Sequence, residues 1–153
     1  MDLILWRHAE AVDPAQGDLD RSRPLTHRGE KQAARMAAWL DRQLPDTTRI
    51  WVSPAVRAEQ TAKALERKFK LSEDIAPQGS AEQLLELAQW PNAKGCVLIV
   101  GHQPTMGQAI ATLLGLSAQE CAVKKGAVWW LRHREREGER QTVLVTVQSP
   151  EFL

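Results

Sequence analysis

The chain has few cysteines, almost no net charge and no long apolar segment. Its two cysteines make no disulfide framework, and reduced thiols in a cytoplasm are the simplest interpretation. A net charge of +1 provides no basis for binding nucleic acid or an anionic membrane surface. No apolar run approaches the ~20 residues that span a bilayer, and Arg7 ends the first run early, which argues against a signal peptide. We therefore expect a cytoplasmic protein without nucleic-acid or membrane partners.

Internal repeats, low-complexity tracts and linkers are also absent. A length of 153 residues suits one domain with a substantial core, and 43% apolar and 25% charged residues are ordinary for a globular protein. We expect residues 1–153 to form a single, monomeric domain.

The apolar pattern predicts strands and helices in alternation. Continuous apolar runs are typical of strands buried on both faces, and two such runs occur, at Leu3–Trp6 and Cys96–Val100. A short strand is also predicted at Arg49–Val52. A weak further strand is possible at residues 75–77. Near the C-terminus, residues 126–133 and 141–147 flank a charged segment, 134–140, which predicts a hairpin with a long turn.

Helix signals follow these strands. Thr26 is a predicted N-cap for an apolar stripe that reaches Leu44, and Ser53-Pro54 is a predicted start for a helix that continues to about Lys70. Ser80 to Gln83 has capping-box spacing, and another helix is predicted to end near Leu114. The whole pattern predicts an α/β three-layer sandwich with a mostly parallel central sheet and a C-terminal antiparallel hairpin.

Polar side chains follow three of the predicted strands, where a buried sheet does not need them. They are Arg7-His8, Ser53 with Arg57 four residues later, and Gly101-His102. Ligands of open α/β sheets bind beyond the carboxyl ends of the strands, so we expect these groups to converge there. Two imidazoles and two guanidiniums in one place favour a site for a dianion such as a phosphoryl group.

Four motifs in order resemble the histidine phosphatase (phosphoglycerate-mutase-like) superfamily, and within it the short SixA-type phosphohistidine phosphatases. Arg7-His8 corresponds to that family's Arg-His-Gly signature, with Ala9 in the glycine position. The other three are Arg23 to Thr26 followed by Gly29, Ser53-Pro54 with Arg57 to Ala62, and Val100 to Pro104. The resemblance spans nearly the whole chain, and Ala9 is its one departure, a mild one.

The resemblance implies a role for each matching residue. His8 would be the nucleophile that forms a phosphohistidine intermediate. Arg7, Arg57 and His102 would hold the phosphoryl oxygens, and Arg23 would contact the phosphate or its carrier. The implied substrate is phosphohistidine on a partner protein, such as a histidine-containing phosphocarrier or phosphotransfer domain, and the implied domain has no lid. Larger members of the superfamily carry insertions over the site and a carboxylate acid, whereas the matching region here offers only Glu82.

Elementary electrostatics agrees with these roles. Neighbouring guanidiniums lower the pKa of an imidazole from its usual ~6.5, which keeps His8 neutral and nucleophilic. Phosphoryl transfer needs positioning and charge neutralisation, which three guanidiniums can provide, so no metal or other cofactor is expected.

Other interpretations remain open. The same chemistry would serve a phosphatase of small phosphomonoesters or sugar phosphates. A non-catalytic phosphohistidine-binding module would need only the cations, and a metal protein lacks a third convincing ligand. Lys124-Lys125 is interpreted as a solvated turn, although it could help to dock an acidic partner.

Overall fold

A six-stranded sheet organises the computed structural model, which describes residues 1–153. The first four strands are mutually parallel in the order β3-β2-β4-β1, and β5 and β6 continue the sheet antiparallel to β1. Their bounds are β1 Asp2–Arg7, β2 Arg49–Val52, β3 Lys70–Leu71, β4 Cys96–Gly101, β5 Val128–Arg136 and β6 Glu139–Gln148.

Helices cover both faces of this sheet, so the predicted three-layer α/β sandwich with its C-terminal hairpin is confirmed. The helices are α1 His27–Gln43, α2 Val56–Lys63, α3 Ala81–Leu87 and α4 Thr105–Leu114. One core layer packs Met36 and Leu40 of α1 against Ile4, and the other packs Met106 of α4 against Leu5. None of these helices combines the length and the apolarity that crossing a bilayer requires.

The pairing of β1 with β4 positions the site. Alternate residues of β1 enter the two core layers and are fully buried, which is why the strand is apolar without interruption. The parallel register places Arg7 opposite Gly101. His8 and His102 are the residues that follow these two strands, and they therefore lie side by side at the edge of the sheet.

The second helix is shorter than its sequence pattern predicts. It begins at Val56 and ends at Lys63, and the prediction of a helix reaching Lys70 is wrong. Glu66 has a φ of 56°, in the left-handed region, while Leu65 remains buried in the core. The chain turns at this point because Lys70–Leu71 must lie beside β2 as a short edge strand.

Two other expectations for local structure are wrong. Residues 75–77 do not form a strand, because Glu73–Ile75 is a 3-10 turn capped by the Ser72 side chain. The charged segment at 134–140 is mostly strand, and only Glu137 and Gly138 turn, both with positive φ. Opposite charges face each other across that extension, and Arg140 lies 3.4 Å from Glu135, which favours pairing over a long loop.

Candidate active site

His8 lies directly after β1, with only 7% of its surface exposed. Its Nδ1 is 2.7 Å from the carbonyl oxygen of Ala9. Because a carbonyl can only accept, Nδ1 carries the proton, and Nε2 keeps its lone pair. Burial is the largest cause that lowers the pKa of His8 to about 4, and Arg57 and Arg7 lower it further, while the Ala9 carbonyl opposes them. The imidazole is neutral at pH 7, and the lone pair of Nε2 is free.

His102 follows β4, and its ring centre is 5.1 Å from that of His8. Its Nδ1 is 3.5 Å from Nη2 of Arg57, which can only donate. The His102 proton is therefore on Nε2, which donates to Oγ of Ser53 at 2.7 Å. Burial, followed by the proximity of His8 and Arg57, lowers the pKa of His102 to about 3. This second imidazole is also neutral, and it orients Arg57.

Arg57 and Arg7 bring two guanidiniums to the same place. Arg57 lies in the first turn of α2, as predicted, and is only 4% exposed. Arg7 donates from Nη1 to the carbonyl oxygen of Val123 at 2.6 Å. The Nε atoms of both residues are buried and have no acceptor within the protein. A buried donor without an acceptor is costly, so two such donors indicate a place for an oxyanion.

Arg23 joins this group through a residue that sequence reasoning missed. Asp20 accepts from Arg57 through its backbone oxygen at 2.9 Å and through Oδ2 at 3.1 Å. Its Oδ1 accepts from Nε of Arg23 at 3.0 Å. Burial alone would raise the pKa of Asp20, but the hydrogen bonds and charges of Arg57 and Arg23 outweigh burial and lower it. Asp20 is thus an anion that holds two cations of the site together.

Ser53 and Thr61 support the site from beneath. Ser53 is fully buried, and the prediction that it caps a helix is wrong, because the N-cap of α2 is Ala55. Its hydroxyl accepts hydrogen bonds from Nε2 of His102 at 2.7 Å and from the Ala55 backbone nitrogen at 3.3 Å. Thr61 accepts from the Ala9 backbone nitrogen at 3.0 Å and donates to the Arg57 carbonyl at 2.8 Å. Ser53 is among the polar residues that the sequence places at the strand ends, whereas its hydrogen bond to His102 is not predicted by the sequence.

The remaining predicted features lie around this cluster. Ala9 is fully buried against Leu25 and Ala33, so a methyl group fits at the position of the family's glycine. Glu82 is exposed in the first turn of α3, whose predicted capping box forms between Ser80 and Gln83. The structure places no three His, Cys, Asp or Glu side chains where they could hold a metal ion.

Comparisons with known proteins identify the class to which this fold and site belong. Residues 3–88 match the model of the histidine phosphatase superfamily (branch 1), and the chain belongs to that superfamily. The protein is therefore a phosphatase of the histidine phosphatase family.

Within the superfamily, the chain is similar to SixA proteins. It is 35% identical to the phosphohistidine phosphatase SixA homolog of Haemophilus influenzae, over 75% of this chain and 78% of that protein. The corresponding identity to phosphohistidine phosphatase SixA of Escherichia coli is 31%, over 74% of each chain. A solved structure of the protein histidine phosphatase SixA complexed with tungstate superposes with a TM-score of 0.82 at 25% identity, covering 99% of both chains.

Proposed function

We propose that this protein hydrolyses phosphohistidine on a partner protein through a covalent phosphohistidine intermediate on His8. The observation that carries the proposal is a neutral imidazole with a free Nε2 lone pair, close to buried guanidiniums whose Nε donors have no acceptor in the protein. That combination matches a nucleophile facing a phosphoryl group.

The reaction has two displacements. Nε2 of His8 forms a bond to phosphorus as the bond from phosphorus to the substrate imidazole breaks, and that imidazole takes up a proton from solvent. Water then attacks the phosphorus and the bond to Nε2 breaks; one proton of the water stays on the hydrogen phosphate that leaves, and the other returns to solvent. The Ala9 carbonyl stabilises the positive charge that develops on the His8 ring, because it accepts the Nδ1 proton.

The cations stabilise the charge on the transferred group. Arg7 and Arg57 donate to the phosphoryl oxygens, and Arg23 contacts the phosphate or its carrier. His102 lies beside the phosphoryl oxygens and holds Arg57 through Nδ1, while its Nε2 proton stays hydrogen-bonded to Ser53. Two relatives named phosphohistidine phosphatases and a SixA structure that holds tungstate, itself an oxyanion, support this assignment.

The direct test follows phosphate from a phosphohistidine-labelled carrier protein through the wild type and His8→Ala. We expect the wild type to form a phosphoenzyme that is stable in alkali and labile in acid, as a phosphoramidate is, and to release phosphate. His8→Ala should form no phosphoenzyme and release no phosphate above background. Wild-type single-turnover rates in His8→Ala would refute the nucleophile.

The same measurement separates the other interpretations. Stoichiometric binding of the carrier by the wild type without phosphate release would favour a binding module. Release from sugar phosphates in preference to the carrier would favour a phosphatase of small esters.

A further inference from the structure

We propose that a basic groove beside the active site docks an acidic segment of the phosphoprotein, next to its phosphohistidine. The groove has a volume of about 430 Å³, and its walls carry the cations Arg28, Lys31, Arg35, Lys124 and Lys125, all exposed. This inference rests on the proposed function, because it concerns how that site selects its substrate.

The cations of α1 do not serve the stability of the helix. Arg28, Lys31 and Arg35 are spaced by three and four residues, so they line one face as like charges, which repel. Arg28 also lies in the first turn of α1, where the helix dipole favours anions and disfavours cations. Two unfavourable terms at one place indicate a role in binding.

Few carboxylates neutralise this groove. Glu151 lies 2.6 Å from Lys124, and Glu10 lies 4.0 Å from Arg28. Lys31, Arg35 and Lys125 take part in no ion pair. The chain as a whole carries a net charge of only +1, so this positive surface is a local concentration.

The basic groove is joined to the catalytic residues through the backbone. Arg7 donates to the carbonyl of Val123, and the Gly126 nitrogen donates to the carbonyl of His8 at 3.0 Å, so both bonds hold the turn that carries the two lysines. On the other wall, Gln32 accepts from the Glu10 nitrogen at 3.0 Å. Both walls of the groove therefore border residues 7–10, and a segment bound there would lie near a phosphohistidine at His8.

The shape and lining of the groove select one kind of occupant. Arg28 and Arg35 are seven residues apart, which spans about 10 Å along a helix and exceeds one phosphate group. The lining contains no aromatic side chain, so nucleic-acid bases would find no stacking surface. Carboxylates along an extended or helical protein segment match both the span and the charge.

The test uses two synthetic phosphohistidine peptides of equal length, one with glutamates flanking the phosphohistidine and one with glutamines. Against the wild type at low ionic strength, we expect kcat/KM about tenfold higher for the glutamate peptide, a preference that high salt removes. Lys31→Glu combined with Arg35→Glu should abolish the preference. Turnover of free phosphohistidine should not change in that variant.

Lys68→Glu is the matched control, because Lys68 is an exposed lysine in the connection between α2 and β3, outside the groove. It should retain the preference. Thermal unfolding of the double variant should be close to that of the wild type, because the new carboxylate at position 31 attracts Arg28 although the two new carboxylates still repel each other, so a lost preference is not a folding defect.

The possible failures are distinct. Equal turnover of the two peptides by the wild type overturns the docking groove and leaves the proposed function standing. If neither the peptides nor free phosphohistidine is hydrolysed, the proposed function itself fails. Binding of a single-stranded oligonucleotide that the double variant loses, without any peptide preference, would assign the groove to nucleic acid and overturn the proposal.

Discussion

At the scale of single residues, the site depends on a carboxylate that neutralises part of its own positive charge. Asp20 contacts Arg57 at two atoms and Arg23 at a third, so it holds two guanidiniums that would otherwise repel each other. Arg57 is buried and Asp20 is largely exposed, which makes the aspartate a link between the loop surface and the centre of the site. The negative charge of Asp20 weakens the binding of an anionic substrate, whereas its alignment of Arg57 favours turnover.

Asp20→Asn should therefore separate binding from turnover. The neutral amide removes a negative charge near the site, so the inhibition constant of inorganic phosphate should fall, meaning tighter binding. Arg57 loses its aligned partner, and kcat should fall by about tenfold or more. Steady-state kinetics with phosphate as an inhibitor measures both.

The control is Asp18→Asn, which changes an exposed carboxylate of the same loop that makes no ion pair. It should alter neither quantity. Weaker phosphate binding in Asp20→Asn, or an unchanged kcat, would contradict the role assigned to Asp20.

The two buried imidazoles predict how stability depends on pH. The pKa is lowered to about 4 for His8 and about 3 for His102, whereas an unfolded histidine has a pKa of ~6.5. Below pH 6.5 the unfolded chain takes up protons that the folded site does not. Stability should be complete above about pH 6.5 and fall towards pH 4, by up to about 1.4 kcal/mol per pH unit for each imidazole.

Urea unfolding between pH 7.5 and pH 4.5 measures that slope. His8→Gln should reduce it to about half, because one of the two imidazoles is gone. A slope that is the same in the variant and the wild type would show that the buried histidines do not cause it.

At the scale of elements, the start of α1 packs against the loop that follows His8. Thr26 caps the helix by accepting from the Gly29 nitrogen at 2.9 Å. A side chain at Gly29 would overlap the Glu10 carbonyl, since its Cβ would lie 2.9 Å from that carbonyl carbon. The helix therefore starts in contact with the backbone two residues after His8.

Gly29→Ala should destabilise the protein by about 1–3 kcal/mol, although alanine is about 1 kcal/mol better than glycine within a helix. The Glu10 backbone must move, so kcat should fall as well. Urea unfolding and steady-state kinetics are the measurements. The control is Ala34→Ser on the exposed side of α1, which should change stability by less than about 1 kcal/mol. A Gly29→Ala variant more stable than the wild type would mean that the backbone at Glu10 moves without a loss of stability.

At the scale of the whole molecule, the short connections around the site bear on substrate class. The segment between β3 and α3 holds one 3-10 turn, and Glu82, in the first turn of α3, is exposed. An alkoxide is a poor leaving group without an acid, whereas an imidazole is readily protonated near neutral pH. Substrates with a phosphorus–nitrogen bond should therefore be favoured over alkyl phosphates.

We expect kcat/KM for a phosphohistidine peptide to exceed that for sugar phosphates by at least about a hundredfold, on the leaving-group argument. Glu82→Gln should match the wild type within about twofold, as should Glu86→Gln, an exposed glutamate one turn later in α3. Efficient hydrolysis of sugar phosphates that Glu82→Gln reduces a hundredfold would identify Glu82 as a general acid and make a small ester the substrate.

The sequence by itself determined the architecture of the sheet and the place of the site in it. The unbroken apolar runs of β1 and β4 are stable only when both faces are buried. A parallel sheet brings the polar residues that follow these strands to one edge. This arrangement of strands predicts the proximity of His8, Arg57 and His102, and the structure brings them together. Helix α1 is also predicted by the sequence, because Thr26 and the apolar stripe are local signals that no distant contact contradicts.

Only the tertiary structure decided which residues complete the site. Asp20 reaches Arg57 because the loop from Ala11 to Leu25 is closed by a β-bridge between its ends and by an ion pair of Arg21 with Glu73, 52 residues away. Ser53 could act as a helix cap or bond to His102, and the position of β4 settles the choice. Such outcomes depend on contacts with residues far along the chain, and the local pattern of residues does not indicate those contacts.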